Sequence, residues 1–153
     1  MNSREPVGAS DPGPTDQNII DHIALELQLI LGAHHGQGYG GVVVSAARGV
    51  VTVYRTEEHA AGIDAVIAGR SDARHIRVAS ARHSHACLSE IRDRVSADLD
   101  YWRRRGTVLT SLGIGARGEA VDIGVESLVE VAAVEQRYDG LPVAVTVVRP
   151  IPF

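Results

Sequence analysis

The sequence predicts an α+β fold: two related ββαβ units joined by a long helix and preceded by an N-terminal amphipathic helix. Three observations carry this. The stretch from Val108 to Val148 reads as strand, tight turn, strand, helix, strand, and a looser copy of the pattern runs from Tyr39 to Val78. The turn of the copy, Ala47-Arg48-Gly49, and that of the original, Arg117-Gly118-Glu119, lie about seventy residues apart. A residue suited to capping a helix then follows each second strand, Thr56 in one unit and Ser127 in the other.

The divisions expected along the chain are an arm (1–15), a helix and loop (16–38), the first unit (39–82), a linking helix (83–106), the second unit (107–148) and a tail (149–153). The arm carries Pro6, Gly8, Pro12, Gly13 and Pro14 with almost no large apolar side chain, which predicts disorder and not a signal peptide. From Asp16 to Leu31 the residues Ile19, Ile20, Ile23, Leu27, Ile30 and Leu31 fall on one helical stripe that needs a surface to lie on, and Gly32 is the expected stop. Val42–Val44 and Val50–Tyr54 are β-branched runs around a short turn, the signature of a hairpin. Ala60, Ile63, Val66 and Ile67 give the next helix its inner face, and His75–Ala79 closes the unit as a strand.

Ser84 is placed to cap what reads as the longest helix, where Leu88, Ile91, Val95, Leu99 and Trp102 recur at three- and four-residue spacing, with Glu90 and Arg94 set for a surface pair. In the second unit, Ser127-Leu128-Val129-Glu130 matches a capping box. Asp139-Gly140 stops that helix, and Pro142 precedes a last strand, Val143–Val148. Nearly every residue of that strand is apolar, so it is expected at the sheet centre, covered on both faces or on one face by a partner.

Composition removes several functional classes. The chain has 153 residues and is 44% hydrophobic, enough for a buried core. Its 15 basic and 19 acidic residues leave a net charge of −4, and no basic stripe alternates with aromatics, so nucleic acid is a poor partner. Every basic residue is Arg, as in proteins of GC-rich bacterial genomes. A single cysteine, Cys87, excludes an internal disulfide. No apolar run approaches the roughly 20 residues that span a bilayer, so no membrane partner is expected and the cytoplasm is the expected location.

No constellation names a reaction. Gly36-Gln37-Gly38-Tyr39-Gly40-Gly41 spells G-x-G-x-x-G, but the phosphate-binding mechanism needs a strand before it and a helix after it; here the order is helix, loop, strand, and the glycines read as flexible connection. His34-His35 sit in that loop, and His83 and His85 flank Ser84. Zinc wants three or four ligands, and local spacing supplies no third. Cys87 in a first helical turn, with His83 nearby, is a candidate thiol–imidazole pair, against the plainer reading of a small side chain at a helix start. Arg103-Arg104-Arg105 closes the long helix, where cations offset the carbonyl end of the dipole. This reading assigns no catalytic, cofactor-binding or metal-ligating residue.

Gly40-Gly41-Val42-Val43-Val44 leading to Val50-Val51-Thr52-Val53, the pair His83-Ser84 before Leu88 and Ile91, Val121-Asp122-Ile123-Gly124-Val125, and Leu141-Pro142-Val143-Ala144-Val145 together resemble the pro-regions of α-lytic protease and streptogrisin-type bacterial serine proteases. The resemblance spans roughly Leu31 to Val148. It implies an intramolecular chaperone and inhibitor whose second unit extends the protease sheet and whose C-terminal tail enters the active-site cleft. On that basis the expected function is a non-enzymatic module that binds a protein or peptide, a peptidase included. The partner-binding residues would be Val143, Val145 and Val147 at a sheet edge and Ile151, Pro152 and Phe153 in an apolar tail. The alternative is a small α+β enzyme or metal- or ligand-binding protein using His83, His85 and Cys87. A third reading is a homodimer formed through Val143–Val148 or the first helix.

Overall fold

A computed structural model describes residues 10–149. Its helices are α1 (Gln17–His34), α2 (Ala60–Ala68), α3 (His85–Ala97), α4 (Leu99–Arg104) and α5 (Leu128–Arg137). Its strands are β1 (Tyr39–Ser45), β2 (Val50–Arg55), β3 (Ile76–Ser80), β4 (Leu109–Ile114), β5 (Val121–Val125) and β6 (Val143–Val147). They form two three-stranded sheets, ordered β1-β2-β3 and β4-β5-β6. In each sheet the first pair is antiparallel and the second parallel, so the α+β class and the ββαβ order of both halves hold.

The two sheets also agree in register. Tyr39 pairs with Arg55 and Leu109 with Val125, and in both sheets the pairing slips at the next step, between Tyr39 and Gly41 and between Leu109 and Ser111. One extra residue at the same place in both hairpins is a positioned bulge, and bulges are specific features of a fold. Each sheet has its own core. In the first unit α1 and α2 bury Ile20, Leu27, Leu31 and Ile63 against Val51 and Val53. In the second, α3, α4 and α5 bury Leu88, Val95, Trp102, Val134 and Tyr138 against Val121, Ile123 and Val125.

The helical stripe of α1 is narrower than its spacing suggests: Ile20, Ile23, Leu27 and Leu31 are buried, but Ile19 is 53% exposed and Ile30 37%. Asp16 caps the helix by accepting from the Asn18 N–H at 2.8 Å. Gly32 does not stop it, and the helix continues to His34. The end of the arm is ordered as well. Gly13 and Thr15 donate their N–H groups to Arg48 and Ala46, and Asp11 lies 2.8 Å from the Arg48 guanidinium. Residues 10–15 therefore lie on the first hairpin turn instead of being disordered.

The glycine-rich stretch is a close-packed junction, not a flexible connection. A Cβ on Gly38 would fall 2.6 Å from that of His59, and one on Gly40 2.5 Å from that of Ala81. Gly41 has φ +149°, and a Cβ there would strike the Ala116 carbonyl in the second hairpin. Gly118 of that hairpin accepts a hydrogen bond from the His83 N–H at 3.0 Å. Backbone approach at glycines thus docks the two units.

Four further expectations are corrected. The linking helix is broken at Asp98 into α3 and α4, so α1, not this segment, is the longest helix; the break turns Leu99 out of the stripe and leaves it 39% exposed. Thr56 makes no side-chain cap, and its buried hydroxyl has no hydrogen-bond partner among the described residues, because a turn at Glu57–His59 intervenes before α2. The last strand, β6, is an edge strand: the central place in its sheet belongs to β5. Among the described residues Glu90 and Arg94 form no ion pair; on the same helix Arg92 pairs with Asp93 at 3.1 Å.

Candidate functional site

Strand β6 follows from local chemistry upstream. The Glu130 carboxylate accepts from the N–H groups of Glu126 and Ser127 at 3.0 and 3.1 Å, which fixes where α5 begins. Gly140, at φ +80°, turns the chain out of α5. The chain then runs back beside β5, Val143 opposite Val121 and Val147 opposite Val125. The side chains of Val143 and Val145 are half-buried against the core that holds Val121 and Ile123, which are fully buried. The sequence reading placed these valines at a contact surface; their side chains belong to the core, and what they offer outward is backbone.

Which backbone groups are offered follows from the ladder. Val121 donates its N–H to Pro142 O at 2.9 Å, and Val148 donates its own to Val125 O at 2.8 Å. In a parallel pair the N–H and C=O of one residue point to the same side and alternate along the strand. Ala144 and Thr146 therefore turn toward β5, and Val143, Val145 and Val147 toward the free side. The Val143 N–H is occupied by Leu141 O at 2.8 Å. Among the described residues nothing pairs with the Val143 carbonyl or with either group of Val145 and Val147, which leaves them for a neighbour.

The other sheet edges are protected. Strands β1 and β4 each carry the bulge described above, which twists an edge away from pairing. Strand β3 holds Arg77, whose guanidinium donates to Ile76 O at 3.1 Å and to Arg74 O at 2.9 Å, covering outward carbonyls with charge. Strand β6, Val-Ala-Val-Thr-Val, has no charge, no bulge and no proline within it. Ile151, Pro152 and Phe153 lie outside the described residues.

The histidine and cysteine candidates are divided between two clefts, with His83 and Cys87 together in one and His85 in the other. His83 and Cys87 line a cleft of about 440 Å³ with Thr56 and His59. His85 lines a different one, 6.0 Å from the Tyr39 ring by centroid and 3.3 Å from Ser89 Oγ. The Cys87 N–H donates to Ser84 Oγ at 3.1 Å, so Ser84 caps α3 as its position suggests. Among the described residues no group of three or more His, Cys, Asp or Glu is arranged to hold a metal ion.

Sequence reasoning missed two polar clusters. Arg70 bridges Glu26 and Asp72 at 2.6 and 2.8 Å and ties α1 to the loop before β3. Asp98 accepts from Arg137 Nε at 3.0 Å and from the Tyr138 hydroxyl at 2.7 Å, while Trp102 Nε1 donates to that hydroxyl at 3.1 Å. The Arg137 guanidinium and, after it, the Tyr138 hydroxyl hold the Asp98 carboxyl below its usual range. Arg105 and Arg137 lie 3.9 and 3.4 Å from the centre of the Tyr101 ring, so part of the arginine cluster stacks as well as closing a helix. The only sequence signal for either cluster is charge at distant positions, which does not specify pairing.

The chain matches no family model, no curated protein and no solved structure. No helix among the described residues is long and apolar enough to cross a membrane.

Proposed function

We propose that this chain is a non-enzymatic binding module that takes up an extended segment of a protein or peptide as an added strand along β6. The observation that supports this is the contrast between edges: among the described residues, β6 alone combines outward N–H and C=O groups with the absence of bulge and charge. Long uncharged edges are an aggregation hazard, and a chain that guards its other edges has reason to keep one open only if something pairs with it. Strand addition supplies affinity through the main chain. The same edge is the one that the resemblance to protease pro-regions assigns to contact with a protease, which extends the reading to a chaperone- or inhibitor-like role for the second unit and the 149–153 tail.

The test uses Val145→Pro. Its N–H faces away from β5, so proline there removes an outward donor without cutting the ladder within the sheet. With folding checked by Trp102 fluorescence and circular dichroism, the wild type is expected to capture members of an immobilised library of extended apolar octapeptides, and Val145→Pro to lose that capture by ten-fold or more. Removing residues 149–153 should weaken capture and leave the fold intact. A folded Val145→Pro protein that captures as well as the wild type would overturn the reading.

A further inference from the structure

The occupant of the β6 edge can be named from the strand itself, resting on the strand-addition reading just given. We infer that β6 pairs with β6 of a second copy of this chain, antiparallel about a two-fold axis at Val145, joining two three-stranded sheets into one of six strands.

The strand suits its own reverse. Centred on Val145, antiparallel pairing sets Val145 opposite the second copy's Val145, Val143 opposite the second copy's Val147, and Ala144 opposite the second copy's Thr146. The residues with outward backbone groups then meet as hydrogen-bonded pairs. Val145 exchanges two bonds with its counterpart. Each Val147 N–H finds a Val143 carbonyl, and the Val143 N–H keeps its bond to Leu141 O. No like charges oppose each other, the usual obstacle to self-pairing.

Burial points the same way. The β5 residues opposite this strand, Val121, Ile123 and Val125, have no exposed surface, whereas Val143, Val145 and Val147 each keep part of theirs. A strand on the free side would continue the layer, and the second copy supplies valines at the matching positions. Leu128 extends the argument to the helix. It is 79% exposed and sits about a quarter turn round α5 from Val134 and Tyr138. With the right-handed crossover that parallel strand–helix–strand units adopt, that flank of α5 faces the open edge. A two-fold axis normal to the sheet puts both α5 helices on one face. With α5 over β5 and β6, each axis lies about one strand spacing from the two-fold, so the helices run roughly 10 Å apart, at packing distance.

The flanks are complementary in charge. The same register places Arg149 opposite the second copy's Leu141, two residues from Asp139 of that copy, and both residues are exposed. Two such pairs close the ends of the six-stranded sheet.

The experiment is sedimentation equilibrium of the full chain and its variants, run beside peptide capture. The wild type is expected at twice the chain mass of 16.3 kDa, and Val145→Pro at the single mass. Arg149→Glu should weaken the dimer roughly ten-fold, and adding Asp139→Arg should restore it. This exchange leaves the strand untouched, so a folding defect in the proline variant does not decide the matter. A wild type that stays monomeric at about 100 μM while β6 captures foreign peptide overturns self-pairing and leaves strand addition standing. A monomer without capture overturns both. A dimer indifferent to Val145→Pro and to the charge exchange overturns self-pairing at this edge. A dimer lost in Val145→Pro, with no foreign peptide captured, supports self-pairing and removes foreign capture.

Discussion

Asp98 sits at the break in the linking helix, and its side chain joins that break to the end of α5. Its carboxylate gathers Arg137 and Tyr138 from α5 and the turn after it, and through the Tyr138 hydroxyl it anchors Trp102 of α4. Hydrogen bonds to a charged group contribute about 1.5–3 kcal/mol each when well placed, less here because the side chain retains some exposure. Asp98→Asn should therefore lose roughly 1–2 kcal/mol at neutral pH in urea denaturation followed by Trp102 fluorescence. The pH dependence has a definite sign. The Asp98 carboxyl is held below its ordinary value of 3.8 in the folded protein, by Arg137 first and Tyr138 after it. Its contribution is complete above that value and lost as the pH falls through the folded pKa. The gap between wild type and variant should be constant from pH 5 to 8 and close below about pH 3.8. A gap that widened in acid would assign the stabilisation to some other group.

At the level of the element, the alternation of backbone groups along β6 can be read by hydrogen exchange. The N–H groups of Ala144, Thr146 and Val148 are spent on β5 and should exchange slowly; those of Val145 and Val147 face the open side and should exchange at least about ten-fold faster in the unpaired strand, becoming protected when an added strand binds. Uniform protection of all five in an unpaired protein would mean that the edge is not free. The same strand marks the limit of what was legible beforehand. β-Branched runs and turn chemistry locate a strand: the last strand, read as Val143–Val148 and observed as Val143–Val147, both hairpins and the start of α5 at Ser127 were readable because each is written in consecutive residues. Position within a sheet is not. An apolar run looks alike at the centre and at an edge, and nothing local distinguishes Val143-Ala144-Val145 from a buried core strand. The break at Asp98 was hidden for a related reason, since Val95, Leu99 and Trp102 keep helical spacing straight through it. The bulges at Tyr39 and Leu109, which make the other hairpin edges unsuitable, leave no periodic trace.

Over the whole molecule, two separate cores meet at a junction made largely of glycine backbone, so their cooperativity depends on a few atoms. Gly41 lies at φ +149° with the Ala116 carbonyl where a Cβ would stand, while Gly118 in the second hairpin would bring a Cβ to 2.6 Å from His83 O. A methyl group at Gly41 cannot be absorbed by a side-chain rotation, because the atom it meets is backbone. Either β1 leaves its preferred conformation, at about 1–3 kcal/mol, or the hairpins separate. Separation uncouples the units without removing anything from either core, since neither glycine packs a side chain there. The two halves can be followed independently: Trp102 is the only tryptophan and belongs to the second core, while far-ultraviolet circular dichroism averages both. In the wild type the two signals should change together on urea denaturation, as expected of a single cooperative unit. In Gly41→Ala the dichroism is expected to fall first, because the strained strand β1 belongs to the first sheet, and the Trp102 transition should stay within about 1 kcal/mol of wild type. Coincident transitions shifted together would show instead that the junction is a dispensable seam and that α3, which touches both β1 and β4, binds the units into one body.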